Sequence, residues 1–121
     1  MKLPNNFYTE LEDAVAKYGE WVTEDRSIDA DECMFYAVDL NFDFGDYGCS
    51  IEADIEYKAE WEDDSFDHEF GTWEDPAPYY KAVGATIDLV DELHFYDDDG
   101  NEVEFEDFKK GNLKDMEFYF G

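Results

Sequence analysis

Positive charge is what this chain has least of. Eight Lys and Arg stand against 35 Asp and Glu, a formal net charge of −27. A nucleic-acid binder gains affinity by replacing the counterions on phosphate with its own cations, so direct binding to nucleic acid is excluded. An anionic membrane surface would repel the chain for the same reason. Long apolar runs are also missing, and nothing approaches the roughly 20 residues of a membrane span. The opening stretch MKLPNNFYTELED has no apolar centre of the signal-peptide kind, which predicts a cytoplasmic protein. Cysteine is reduced to Cys33 and Cys49, which in a reducing compartment are expected as free thiols. Nucleophile motifs, phosphate-cradling glycine loops and dinucleotide fingerprints are absent, so the expectation is a protein that is not an enzyme. Paired carboxylates of the glycosidase type say little here, because among 35 acids some pair falls at a suitable distance by chance.

Aromatic residues, by contrast, are plentiful: 11 Phe, 9 Tyr and 3 Trp in 121 residues. An acidic disordered tail lacks such rings, so this chain is expected to fold. Its length fits a single domain over 1–121 with a real core. Self-repulsion at this net charge works against the compact state and is screened by salt. The acidity therefore points to something other than fold stability.

The first periodic segment is helical. Phe7, Leu11, Ala14 or Val15, Tyr18 and Val22 share one face of a helix over about 7–22, with Asn5 or Asn6 as cap. A strand is predicted from Cys33 to Phe44, with Tyr36, Val38, Leu40, Phe42 and Phe44 on one side and Asp39, Asn41 and Asp43 on the other. Gly45-Asp46-Tyr47-Gly48 supplies a turn. The returning strand SIEADIEYKAEWEDD alternates Ile51, Ala53, Ile55, Tyr57, Ala59 and Trp61 with Glu52, Asp54, Glu56, Lys58 and Glu60. The pair reads as an antiparallel hairpin with one apolar and one acidic face, and it places Cys33 far from Cys49. Glu62 to Gly84 reads as irregular, with Gly71, Pro76 and Pro78 breaking any strand through Phe66, His68 and Phe70. A strand resumes at Ala85–Val90. Leu93–Tyr96 and Val103–Phe105 then flank a hairpin turn at Asp97–Asn101. The tail from Asp107 reads as a short helix or turn leading to an edge strand at Phe118–Phe120. The fold class is α+β: an N-terminal helix on a mostly antiparallel sheet of four to six strands.

Each candidate site has an ordinary structural explanation. An EF-hand loop with Gly100 at its sixth position would need a first ligand where Phe95 stands, so DDDG reads as a turn. Cys33, Cys49, His68 and His94 have no zinc-ligand spacing; neither a metal nor another cofactor is expected. Trp61, Trp73, Tyr79 and Tyr80 form either a partner anchor or a cover for one end of the core. The acidic array is different, because the fold does not require it. Between Ser27 and Tyr80 there are 17 acidic residues and one basic residue, Lys58. Alternate strand residues lie about 6.6 Å apart, so such an array on a rigid sheet offers a basic groove the same kind of surface as DNA.

HEFGTWEDPAPYYKAVGATIDLV followed by DDDGNEVEFE resembles the small acidic proteins of phages and mobile elements, with their strand, Gly/Pro loop and strand ending in an acidic turn. Anti-restriction and anti-CRISPR proteins are similar in being short, very acidic and enzymatically inert. The resemblance implies a DNA mimic that inhibits a nucleic-acid-binding protein such as a nuclease. Two other readings stay open: an immunity-type inhibitor of a basic toxin, and a halophilic or solubility surface on a domain with another task. Anti-restriction and anti-CRISPR proteins share no single fold, so the partner-binding residues are expected from the acidic array and the loop aromatics alone: Asp39, Asp43, Glu52, Asp54, Glu56, Glu60, Glu62, Asp63, Asp64 and Trp73.

Overall fold

The computed structural model describes residues 2–62 and 79–120. Its elements are a helix α1 (Asn6–Glu24) and strands β1 (Glu32–Phe44), β2 (Tyr47–Glu62), β3 (Tyr79–Tyr96), β4 (Glu102–Val103) and β5 (Glu117–Tyr119). They form one five-stranded sheet in the order β1-β2-β3-β4, with β5 also pairing β3, and every described pairing is antiparallel. This is the α+β arrangement read from the pattern. The expected cysteine state also holds, since Cys33 lies opposite Tyr57, Cys49 lies opposite Phe42, and both thiols are free. Burial pushes the Cys49 thiol up to about 12, so it acts as a small apolar side chain.

α1 lies on one face of the sheet because its apolar stripe recurs at helical spacing. Phe7, Leu11, Val15, Gly19 and Val22 are buried. Phe7 is the hub of an aromatic cluster, with ring centroids 5.3 Å from Phe44, 5.6 Å from Phe95 and 5.1 Å from Phe108. Further along, the buried Tyr57 hydroxyl donates to the Val15 carbonyl at 2.7 Å, and desolvation raises its pKa. Gly19 is tightly covered: a Cβ there would stand 3.0 Å from the Phe120 ring and 3.1 Å from the Tyr57 ring, so those rings would have to give by a few tenths of an ångström.

The helix ends differ from their sequence reading. Asn5 occupies the N-cap position, but its own backbone is helical and its side chain makes no capping bond. At the other end Ser27 N–H donates to Val22 O and Arg26 N–H to Thr23 O, which is a Schellman motif. Arg26 takes the left-handed position (φ 59°), and its guanidinium lies 4.3 Å over the Tyr79 ring. Thr23 Oγ1 accepts from Ala82 N–H at 3.0 Å. The helix terminus is thus tied to the start of β3.

The strands depart from simple alternation at bulges. Between Phe35 and Val38 the β1–β2 register shifts, and Ala37 adopts φ 52°. Tyr36, expected on the apolar face, is therefore turned out and 75% exposed, while Cys33 and Phe35 take the inward phase. β3 carries three irregularities against β2. It runs unbroken from Tyr79, so 79–84 is strand rather than the expected irregular segment. Trp61 keeps the inward phase of β2 but remains 55% exposed, with the Tyr80 ring 4.8 Å away. Phe66, His68, Phe70 and Trp73, with Asp63 and Asp64, lie outside the described residues.

The Asp97–Asn101 turn is built as expected. One carboxylate oxygen of Asp97 accepts from Asp99 N–H and Asn101 N–H, and Gly100 takes φ 84°. The tail forms a 3-10 turn at Lys110–Asn112 and then β5. β5 approaches β3 so closely that a Cβ at Gly84 would be 2.8 Å from Phe118 O. No helix among the described residues is long and apolar enough to cross a membrane.

Candidate functional site

The face of the sheet opposite α1 carries the charge. On β2 the residues facing that way are Ser50, Glu52, Asp54, Glu56, Lys58, Glu60 and Glu62, half-buried or exposed while their neighbours from Ile51 to Ala59 are buried. Among the described residues no charged side chain is buried. The carboxylates therefore stay hydrated, and the core contains none of them.

Register groups these side chains into rows across the strands. Asp39 of β1, Glu52 of β2 and Glu92 of β3 stand directly opposite one another. Like charges so placed destabilise a sheet. The Glu52 carboxyl has a raised pKa, first from partial desolvation and then from Asp39, Glu92, Asp91 and Asp54. The next row has Asp54 opposite Leu89, with Tyr36 and Ala37 in the β1 bulge. One row on, Met34, Glu56, Thr86 and Glu117 line up over four strands. Asp43 stands opposite Gly48 near the turn.

Not every acid expected at the site is equivalent. Asp54 Oδ1 accepts the Ala37 N–H at 3.0 Å, so this carboxylate satisfies the amide of a strained bulge residue as well as adding charge. Glu60 is opposite Lys81, and Lys58 is opposite Glu32 and Gly84. Opposite-charge pairs offset the field at that end of the sheet. Glu62 lies beyond them, opposite Tyr79. The least compensated part is the middle of the face, around Asp39, Glu52, Asp54, Glu56 and Glu92.

Sequence reading missed Glu92, with Asp88 and Asp91, which are exposed on β3. The stretch IDLVDELHF does not alternate because register shifts fall within it, so its acids cannot be assigned a face by period. Beyond Glu92, His94 Nδ1 lies 3.0 Å from a Glu102 oxygen and Nε2 lies 3.8 Å from Glu92. Its pKa is raised, mainly by the hydrogen bond with Glu102.

Among the described residues no group of three His, Cys, Asp or Glu is arranged to hold a metal ion. Tyr36 (75% exposed) and Leu89 (48%) flank Asp54, so the acids have apolar neighbours. No family model matches the chain, and neither a curated protein nor a solved structure matches it.

Proposed function

We propose that the protein is a non-enzymatic binder of a basic partner, and that it presents the outer sheet face to the cationic nucleic-acid groove of that partner as a DNA mimic. The observation that carries this reading is the Asp39–Glu52–Glu92 row, three like charges held directly opposite one another on three strands. Repulsion on a rigid surface is relieved when a cationic surface docks, so it adds to the drive for association and speeds encounter.

Dimensions support the mimic form. Strands lie about 4.8 Å apart, so the row spans roughly 10 Å from β1 to β3. That is on the scale of the B-DNA grooves, roughly 6 Å for the minor and 12 Å for the major, without reproducing either one. Tyr36 and Leu89 add contacts that suit a protein partner and that phosphate does not offer bases or ions.

The test is competition. The protein is immobilised, basic proteins are captured from a lysate at low salt, and each is offered a labelled DNA duplex with and without the free protein. The expected result is a captured DNA-binding protein that releases duplex as the protein is added, with release weakening as salt rises. A captured partner that keeps its duplex would overturn mimicry and favour an immunity-type pairing. Capture of nothing, with best folding in molar salt, would favour the solubility surface.

A further inference from the structure

β1 forms one edge of the sheet: its one described partner is β2, and among the described residues no strand pairs with its other side. Past the bulge, Val38–Phe44 runs in unbroken register for seven residues, about 23 Å of open backbone donors and acceptors. Such an edge is a template for another strand. Beneath it, between β1 and α1, lies a groove of about 540 Å³. Ala14 and Tyr18 line it from the helix, and Leu40 and Phe42 from the strand. Its rim is acidic, with Glu10 and Asp13 on the helix side and Asp39 and Asp43 on the strand side. Lys17 also borders it, but its ammonium is held 3.0 Å from Asp13.

We propose that this edge and groove receive an extended segment of the basic partner by strand addition. A strand laid beside β1 directs alternate side chains into the groove and the rest toward the outer face. The first set meets Ala14, Tyr18, Leu40 and Phe42, and so is apolar. The second set stands beside Asp39 and Asp43, and so is Lys or Arg. The segment recognised therefore alternates apolar and cationic residues over five to seven positions. Charge also decides against the other obvious occupant. A second copy of this chain would bring Asp39 and Asp43 against their own kind, at a net charge of −27 on each molecule.

This inference rests on the reading of the protein as a binder of basic partners, and the experiment separates the two. The probes are two blocked heptapeptides with four lysines and three valines, one strictly alternating and one with the lysines in a block. They are titrated into the whole protein, with amide exchange followed by NMR. The alternating peptide is expected to bind at least ten-fold more tightly and to slow exchange at β1 amides between Val38 and Phe44. Ala14→Trp fills the groove and leaves every charge in place. It should weaken the alternating peptide at least ten-fold and leave the block peptide unchanged. Equal affinity for the two peptides on the unaltered protein, with no slowing at β1, would overturn strand addition and leave the acidic-face reading standing. Failure of both peptides to bind would contradict both.

Discussion

The two faces of β2 are built from alternating residues of one segment, and they follow opposite rules. Toward α1, Ile51, Ala53, Ile55 and Tyr57 are all at most 1% exposed and sit among aromatic rings. Away from it, Glu52, Asp54 and Glu56 are only half-buried, and Glu52 stands opposite an acid on each neighbouring strand. One face lowers the free energy of the fold and the other raises it. A sheet can carry that opposition because the period of two keeps the sets apart, and a one-residue slip would exchange them. On the proposed reading, docking of a basic partner offsets the cost of the acidic face.

Damage to the inner face should produce the largest effects. Phe7→Ala removes the hub of the ring cluster and should lower stability by about 3–5 kcal/mol, measured by urea unfolding. Tyr57→Phe removes the buried hydrogen bond to Val15 and should cost about 1 kcal/mol in the same assay. The outer face should respond in the opposite direction. Folding raises the Glu52 pKa, so the folded protein holds that proton more tightly than the unfolded chain. Stability from this group is therefore complete below its ordinary value of 4.5 and is lost as pH rises through the higher folded value. Glu52→Gln should unfold at higher urea than the parent protein at pH 7, with the difference vanishing near about pH 3. The smallest effect concerns His94. Its contribution is present below the ordinary value of 6.5 and fades as pH rises through the raised folded value. An NMR titration should place its midpoint above 6.5, and Glu102→Gln should bring it down.

Much of this contrast is legible in the chain itself. The helix stripe from Phe7 to Val22, the β1–β2 hairpin and the Asp97–Asn101 turn follow from period and turn chemistry. Bulges hid the rest. Tyr36, Val38 and Leu40 alternate without a break in sequence, yet the shift at Ala37 sends Tyr36 outward. Tyr79–Gly84 looked irregular because Gly71, Pro76 and Pro78 precede it, and the register shift between Ala82 and Gly84 leaves it no clean alternation to offset that signal. The candidate site was readable along β2 and unreadable across strands. Glu92 joins it, and Lys81 offsets Glu60, only through register, which no single segment encodes. The groove between α1 and β1 is likewise a tertiary feature, made by residues about 25 positions apart.

The central claim is that the Asp39–Glu52–Glu92 row captures the partner while contributing nothing favourable to the fold. Asp39→Lys, Glu52→Lys and Glu92→Lys combined reverse the row and spare Asp54, whose carboxylate the Ala37 bulge needs. Capture from lysate at low salt is then compared between the two proteins, with urea unfolding run alongside. The account predicts a variant at least as stable as its parent that no longer retains the basic proteins. An equally stable variant that retains the same proteins would contradict it.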